Sequence, residues 1–222
     1  MKTNTEQSIN KLHGFELQSM NTQRFNKRSP KSHSFLNTEF LGLIHLIQHL
    51  QAELPHHVQH KMIGIGSHMG ESTMMFASTG LFSSIDVIAP FDGEDKFNQE
   101  NWYTWDMIKK EFLLNTRFFD YINLIEKSSI TVSEDFDDGK YDFIYIDGQH
   151  DYDLMKKIIQ LYLPKVKKGG LIGGHDYNHI THPDVVHSVN EILGQPHIMT
   201  YDNSWMFRQK DLNKAKPNKS LI

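Results

Sequence analysis

After Pro55 the sequence repeats one pattern, in which a short apolar run leads into a polar turn and then into a stretch with helical spacing. Five apolar runs are read as strands: 61–65, 85–88, 122–125, 141–146 and 171–172. Short apolar strands that alternate with helices indicate a parallel sheet whose two faces are both covered. We therefore predict a single α/β domain built on a doubly wound, mainly parallel sheet.

The remaining regular segments are predicted to cover that sheet and to close it. Apolar residues recur at helical spacing in five segments: 37–54, 71–78, 105–118, 152–163 and 185–193. Two extended stretches, 197–201 and 204–207, flank Asp202-Asn203, a pair typical of a tight turn. These stretches predict a C-terminal hairpin that adds an antiparallel edge to the sheet.

Charge divides the 222-residue chain into three parts. Residues 1–34 carry six basic and two acidic side chains, and residues 209–222 carry four basic and one acidic. The net charge of −4 therefore leaves −11 on residues 35–208. We predict a flexible basic leader over 1–34, one domain over 35–208 and a basic tail over 209–222. An acidic domain argues against a nucleic-acid partner, which would require a basic face.

Several other classes are excluded by composition. The chain has no cysteine, so it can hold neither a disulfide framework nor a thiolate metal site. No apolar run approaches the roughly 18 residues that a membrane span requires. The first 30 residues lack the apolar segment of a secretory signal. The sequence therefore predicts a cytoplasmic protein without a membrane partner.

The first strand runs into a glycine-rich turn, G-I-G-S-H-M-G-E-S-T at 64–73. Glycines let the backbone pass close to a ligand, and the following helix N-terminus offers free N–H groups to a carboxylate or phosphate. In an open parallel sheet, ligands bind at this edge, outside the carboxyl ends of the strands. Taken alone, the turn is equally consistent with a tight connection between strand and helix.

Four motifs in a fixed order make the pattern specific. They are G-S-H-M-G-E-S-T at 66–73, P-F-D-G at 90–93, Y-D-F-I-Y-I-D-G-Q-H at 141–150 and K-G-G-L-I-G-G-H-D-Y at 168–177. Together they resemble the class I S-adenosylmethionine-dependent methyltransferases, and most of all the small metal-dependent O-methyltransferases of antibiotic and cell-surface glycan biosynthesis. The resemblance covers about residues 38–208. It implies a Rossmann-like fold and an enzyme that uses S-adenosylmethionine.

The resemblance also implies a set of cofactor-binding residues. Those expected to hold the methionine end of the cofactor are Gly66, Ser67, Gly70, Ser72 and Thr73. Asp147 is expected to serve the cofactor as well as a metal. Ser129, just past the third strand, is expected at the adenine end, with Ser128 as its neighbouring alternative.

Two positions depart from the family pattern. The family usually has an acid where Gly64 stands and another where Ala89 ends the second strand, the latter to accept hydrogen bonds from the ribose diol. Losing such bonds costs on the order of 1.5–3 kcal/mol each. Asp92 is the nearest carboxylate able to compensate, although aspartate in F-D-G is also a common turn former.

The fourth and fifth strands each end near an acid. Asp147 ends the fourth strand and Asp176 follows the fifth. Neighbouring strand ends lie about 5 Å apart, and two acids that close repel unless a proton or cation lies between them. A hard divalent ion, most simply Mg²⁺, is the expected ligand, with His175 as third donor; a nitrogen donor would favour Mn²⁺, Fe²⁺ or Zn²⁺. The alternative is that both acids only cap the following helices.

His150 lies three residues after Asp147. Methyl transfer to a hydroxyl requires removal of its proton, and histidine, with an ordinary pKa near 6.5, suits that task. In related metal-dependent methyltransferases the residue at this offset serves as the base. His150 is therefore the predicted catalytic residue; the alternative is a structural role.

These observations give a first hypothesis and its rivals. The first is a metal-dependent O-methyltransferase whose acceptor is a hydroxyl of a sugar or another polar small molecule. The second is a catalytically silent methyltransferase-like binding or scaffold protein, or a variant of the cofactor site, motivated by Gly64 and Ala89. A nicotinamide-dependent enzyme fits less well, because its ribose-binding acid is also missing at Ala89. Assembly into a homo-oligomer stays open.

Overall fold

A computed structural model describes residues 38–92, 104–148 and 150–209 of the chain. Seven strands form one sheet in the order β3-β2-β1-β4-β5-β7-β6. The strands are β1 His60–Ile65, β2 Phe82–Ile88, β3 Ile122–Ile125, β4 Tyr141–Ile146, β5 Val166–Gly174, β6 Ile198–Met199 and β7 Trp205–Arg208. The first five are parallel, whereas β7 runs antiparallel to both β5 and β6. The predicted mainly parallel sheet with an antiparallel edge is confirmed.

Six α-helices of the described ranges connect and cover these strands. They are α1 Thr38–Glu53, α2 Glu71–Ser78, α3 Trp105–Thr116, α4 Ser129–Val132, α5 Tyr152–Tyr162 and α6 Pro183–Ile192. Five lie where helical spacing predicts them, within a few residues at each end. The short helix α4 was not predicted, because four residues show no helical period.

Two apolar cores lie on opposite faces of the sheet. In β4, Ile144 and Ile146 pack with α5 and α6 on one face, whereas Phe143 and Tyr145 pack with α1, α2 and α3 on the other. All four side chains are buried. A strand that buries both faces is mostly apolar, which explains why the strands were visible as nearly continuous apolar runs.

Strand β5 begins earlier than predicted. The apolar run predicts a start at 171, but pairing with β4 already begins at Val166, opposite Tyr141. The register between the strands is irregular over this stretch, where Gly169 has a φ of +85°. The early part is polar and glycine-rich, so hydrophobic pattern could not reveal it. One of its residues, Lys167, makes an ion pair with Asp142 of β4.

The C-terminal hairpin is confirmed, with a shorter β6 than predicted and with β7 shifted by one residue. Its turn is closed by hydrogen bonds from Asn203 N to Thr200 O and from Thr200 N to Ser204 O. Asn203 has a φ of +66°, a conformation that asparagine tolerates better than most residues. The hairpin places β7 beside β5, next to the carboxyl edge of the sheet.

Some sequence predictions fall outside the described residues. These are the leader over 1–34 and positions 210–222 of the basic tail, so both assignments stay predictions. Gly93 of the P-F-D-G motif and Gln149 also lie outside. Across the described helices, none has the length and apolar character needed to cross a membrane.

Candidate active site

The glycine-rich turn after β1 packs directly on the end of β4. Gly66 has a φ of +78°, and an added Cβ would lie 2.0 Å from the carbonyl oxygen of Asp147. The backbone N–H of Asp147 donates to Ile65 O at 2.8 Å. Only glycine permits this approach, and it brings the turn and the first predicted acid to one place.

The rest of the turn leads into α2. Gly70 occupies its N-cap with a φ of +87°, and Ser72 and Thr73 follow in the first helical turn. Ser67 is buried, and no described residue offers a hydrogen-bond partner to its Oγ. A buried hydroxyl without a partner costs about 1–3 kcal/mol, so the turn is built as though a polar ligand group completes it.

The two departures from the family pattern lie near this turn. Gly64 is the penultimate residue of β1, and an added Cβ would meet nothing closer than Met62 Cε at 4.0 Å. Ala89 follows β2, is buried, and donates its N–H to Ile125 O. Packing around the backbone therefore does not require glycine at position 64, since a Cβ atom has room there. Asp92 lies exposed at the end of the same segment as Ala89.

Ser129 is the first residue of α4, just past β3. Its carbonyl accepts a hydrogen bond from the Tyr162 hydroxyl at 2.7 Å, and Ser128 caps the helix through its side chain. The structure thus places Ser129 beyond a strand end, as predicted. It shows Ser129 bonded to the face of α5 and not to another predicted site residue.

Three predicted metal ligands do come together. Asp147, His175 and Asp176 each place a ligand atom within 4.8 Å of the other two. His175 Nδ1 lies 3.0 Å from Asp176 Oδ1. The capping alternative is wrong, because Asp151 caps α5 through its side chain and His182 is the N-cap residue of α6.

The pKa values of all three side chains are shifted from their ordinary values. Burial raises the pKa of Asp147 to about 6, an effect that His175 opposes and Asp176 reinforces. Although burial disfavours its charged form, His175 has its pKa raised to about 9 by the hydrogen bond to Asp176 and the charge of Asp147. The same histidine contacts, His150 included, outweigh burial and lower the pKa of Asp176. The metal-free group therefore holds a protonated His175 between carboxylates.

Asp176 is held in a strained conformation by its neighbours. Its φ is +62°, a region that L-residues rarely adopt. On one side the indole of Trp205 donates from Nε1 to His175 O at 3.0 Å, and on the other Tyr177 N donates to Asn203 O at 2.9 Å. Backbone strain maintained by surrounding contacts is frequent at functional sites.

His150 reaches the same acid from the loop after β4. Its Nε2 lies 2.8 Å from Asp176 Oδ2, and its side chain is 51% exposed. This hydrogen bond is the main cause of a raised pKa for His150. The predicted base is therefore oriented by a carboxylate and open to an incoming molecule.

Two residues that shape this site were not predicted as site residues: Trp205 and Asp202. Asp202 is buried in the hairpin, where its Oδ1 accepts from Ser204 N at 2.9 Å and its Oδ2 lies 3.9 Å from His175 Nε2. The sequence identified Asp202 only as a turn former. Its charge was the available signal, but only the hairpin's position beside β5 gives that charge a partner.

A doubly wound sheet with a glycine turn and acids at its carboxyl edge defines an α/β protein that binds a cofactor at that edge. The family described as "Methyltransferase domain" matches residues 63–177, from β1 to just past Asp176. This match spans more than half of the chain, so the chain belongs to that family and is an S-adenosylmethionine-dependent methyltransferase. None of the curated protein sequences compared with it matches the chain.

Solved structures share the fold at low sequence identity. The TDP-rhamnose 3'-O-methyltransferase CalS11, an enzyme in calicheamicin biosynthesis, is similar with a TM-score of 0.56 and 14% identity, over 88% of this chain and 93% of that protein. A Staphylococcus aureus protein described as a caffeoyl-CoA O-methyltransferase gives 0.55 and 18%, over 89% and 97%. Cofactor-bound Rv0187 from MTB gives 0.52 and 13%, over 90% and 89%. At these identities the likeness shows the fold alone.

Proposed function

We propose that this methyltransferase acts on a hydroxyl of a sugar or another polar small molecule, with help from a divalent metal. The observation that carries the proposal is the meeting of Asp147, His150, His175 and Asp176 at the ends of β4 and β5. Gly66 packs the glycine turn against the same place. The residues for a cofactor, a metal and a base thus adjoin.

The glycine turn fits the methionine end of the cofactor. Gly66 leaves no side chain at the close approach, and Ser67 offers an unmatched buried hydroxyl. The first turn of α2, with Ser72 and Thr73, presents N–H groups suited to a carboxylate. Asp92 is the nearest candidate for the ribose diol, in place of the acid absent at Ala89.

The group after β4 and β5 fits a divalent ion. A carboxylate with a raised pKa, Asp147, lies beside a second carboxylate, Asp176, and a cation between them relieves their repulsion. His175 would complete the ligand set after losing its proton, so metal affinity should rise with pH. When bound, S-adenosylmethionine supplies an electrophilic methyl group and the ion lowers the pKa of a coordinated hydroxyl.

His150 is the proposed acceptor of the hydroxyl proton. Its Nε2 faces Asp176 Oδ2, so in the neutral ring Nε2 carries the proton and Nδ1 offers the lone pair. The carboxylate fixes this tautomer and stabilises the charged ring that forms after proton transfer. This is the arrangement of a base oriented by a third group.

A pocket lined in part by Tyr177, the residue after Asp176, supports a small-molecule acceptor. The cavity has a volume of about 430 Å³, and its lining combines the polar Asn178, Thr200 and Asn203 with apolar side chains such as Ile180 and Met199. Its lining residues contain amide and hydroxyl groups but neither lysine nor arginine among the described side chains. Such walls suit a sugar hydroxyl pattern and disfavour a polyanion.

The test combines binding and turnover. Calorimetric titration with S-adenosylmethionine and its demethylated product, with and without Mg²⁺, measures the cofactor site. Transfer of labelled methyl to a panel of sugars, glycosides and polyols measures the reaction. We expect His150→Ala to lower turnover by about 10²–10⁴-fold while leaving cofactor binding nearly unchanged. His57→Ala, an exposed histidine before β1, is the matched control.

The outcomes separate the two hypotheses. Binding with metal-stimulated transfer that depends on His150 supports the enzyme. No detectable binding at millimolar cofactor would overturn it and favour a silent binding protein. Replacing Gly64 with Glu or Ala89 with Asp should tighten cofactor binding by roughly ten- to a hundredfold each. An unchanged affinity would refute the assignment of these two positions.

A further inference from the structure

A second group of metal-ligand side chains shares Asp176 with the first. His150, Asp176 and His182 also place three ligand atoms within 4.8 Å of one another. The first group, with Asp147 and His175, has two carboxylates and one imidazole. The second has two imidazoles and one carboxylate, so the two groups differ in the ions they suit.

The geometry of the second group is close to that of a metal site. His150 Nε2 lies 2.8 Å from Asp176 Oδ2, and His182 Nδ1 lies 3.5 Å from Asp176 Oδ1. The two imidazole rings lie against each other with centroids 4.6 Å apart. The side chains of His150 and His182 are 51% and 30% exposed, so an ion can reach them from solvent.

The loop that returns His182 to Asp176 is built by one side chain. Asn178 Oδ1 accepts hydrogen bonds from Ile180 N at 2.8 Å and from Thr181 N at 3.1 Å. The backbone closes the same loop, since His182 N donates to Asn178 O at 2.9 Å. The position of His182 is therefore fixed by local hydrogen bonds and does not depend on its own contact with Asp176.

His182 stands where a helix normally begins with a capping residue. It is the N-cap residue of α6, yet it makes no side-chain capping bond. Serine, threonine, aspartate or asparagine at this position typically stabilises a helix by about 1 kcal/mol. The imidazole instead faces Asp176 and the Thr181 hydroxyl, 3.0 Å from Nδ1. His182 thus does not cap the helix through its side chain, and it places a ring nitrogen near Asp176.

We propose that His150, Asp176 and His182 form a site for a transition metal such as Zn²⁺. Two imidazole nitrogens and one carboxylate are typical ligands of zinc and related ions, with further positions open to water, whereas Mg²⁺ prefers oxygen. The site is thus distinct in chemistry from the one assigned to Asp147 and His175.

Occupation of this site would stop the reaction. A metal bound at Nε2 of His150 would use the lone pair of that nitrogen. The single proton of the neutral ring would then reside on Nδ1. His150 has no lone pair left to accept the hydroxyl proton. Zn²⁺ would therefore inhibit methyl transfer, a consequence that rests on the proposed function, whereas the binding itself does not.

Cobalt absorption tests the binding without any reaction. Co²⁺ is titrated into protein without a histidine tag, because a tag would add imidazole ligands for Co²⁺ to the 14 histidines of the chain. We expect one equivalent to give the visible absorption of a nitrogen-ligated ion, and Zn²⁺ to remove it. Excess Mg²⁺ should not remove it.

Variants locate the ion. His182→Asn removes the imidazole and supplies a preferred N-cap, so α6 is not weakened. It should lower Co²⁺ affinity at least about tenfold. His187→Asn, the same exchange at an exposed position of α6, should leave the spectrum unchanged. An unchanged spectrum in His182→Asn, or its loss only in His175→Ala, would overturn the proposal.

Inhibition of methyl transfer by Zn²⁺ provides a separate test. If methyl transfer is found, Zn²⁺ should inhibit the native enzyme, and His182→Asn should require at least about tenfold more Zn²⁺ for the same fractional inhibition. Equal sensitivity of the two proteins would refute the inhibitory role. If no transfer is found, the proposed function fails while the cobalt result still decides the metal site.

Discussion

Strand β4 carries an aspartate near each end, and the two are treated in opposite ways. Asp142, at the amino end, accepts hydrogen bonds from Lys61 N and Lys167 Nζ, both at 2.8 Å, and these with His60 outweigh burial and lower its pKa. Asp147, just past the carboxyl end, has its pKa raised to about 6, mainly by burial. The charge of Asp142 is thus matched by donors that stabilise it. The charge of Asp147 is unmatched, because its surroundings disfavour it.

The difference separates a structural acid from a functional one. Fixed donors make the charge of Asp142 part of the folded state. The charged partners that the structure shows for Asp147 and Asp176 are histidines, which can give up their protons to make room for a metal. Sites of this kind sacrifice stability for function. If the two ends of β4 divide these roles, substitutions of Asp142 and Asp147 should have different consequences for activity and stability.

The largest expected effect is on activity at the carboxyl end. Asp147→Asn removes the charge of a proposed metal ligand with almost no change of shape. We expect Mg²⁺-dependent turnover to fall by about 10²–10³-fold, equivalent to about 3–4 kcal/mol. Steady-state rates at saturating cofactor and acceptor measure this. Asp142→Asn should retain the native rate per folded molecule; equal loss in both variants would break the division.

The next effect is on stability at the amino end. Asp142→Asn loses charge-assisted hydrogen bonds at a side chain only 12% exposed, so the free energy of unfolding should fall by about 2–3 kcal/mol. Urea unfolding measures it. Asp138→Asn is the matched control, because its ion pair with Lys165 involves a carboxylate that is 69% exposed. That control should change stability by less than about 0.5 kcal/mol.

A smaller effect of opposite sign is expected for Asp147→Asn in the metal-free protein. At pH 7 the buried charge of Asp147 is disfavoured, since its pKa lies above the ordinary 3.8. Removing it should raise the free energy of unfolding by about 1–3 kcal/mol in the presence of a chelator. Added Mg²⁺ should reduce the gain, because it stabilises only the native protein. A destabilised variant would mean that the charge of Asp147 is already matched.

The elements of the fold were largely predictable, because burial on both faces leaves a continuous apolar signal. The start of β5 was not, since the polar and glycine residues 167–170 separate the buried Val166 from the apolar run that begins at Leu171. Helix α4 was missed for want of length. Hydrophobic pattern thus identifies continuous buried runs, and it fails where polar residues and glycines interrupt a strand.

The candidate site was predictable only in part. Asp147 and Asp176 follow strands, so topology brings them together, and the resemblance to a known family added His150. His182 reaches the site from the loop before α6, whereas Asp202 and Trp205 belong to the C-terminal hairpin. Their positions depend on turn geometry, such as the Asn178 hydrogen bonds, for which the chain carries no periodic signal. The contacts of these residues with the site are therefore visible only in the folded structure.

The smallest and most specific expected effect is the change of the free energy of unfolding with pH at each aspartate. The pKa of Asp147 is raised to about 6, so in the metal-free protein its destabilisation is absent below about pH 4. It should grow between pH 4 and 6, by at most about 1.4 kcal/mol per pH unit, and stay constant above. The stability of Asp147→Asn minus that of the native protein, from urea unfolding at each pH, isolates this curve from the other titrating groups.

The pKa of Asp142 is lowered, so its stabilisation is present above pH 4 and is lost as pH falls through the folded value. The difference curve for Asp142→Asn should therefore have the opposite sign and change only below pH 4. Two curves that share one sign, or change over the same pH range, would contradict the assignment of one matched and one unmatched carboxylate to β4.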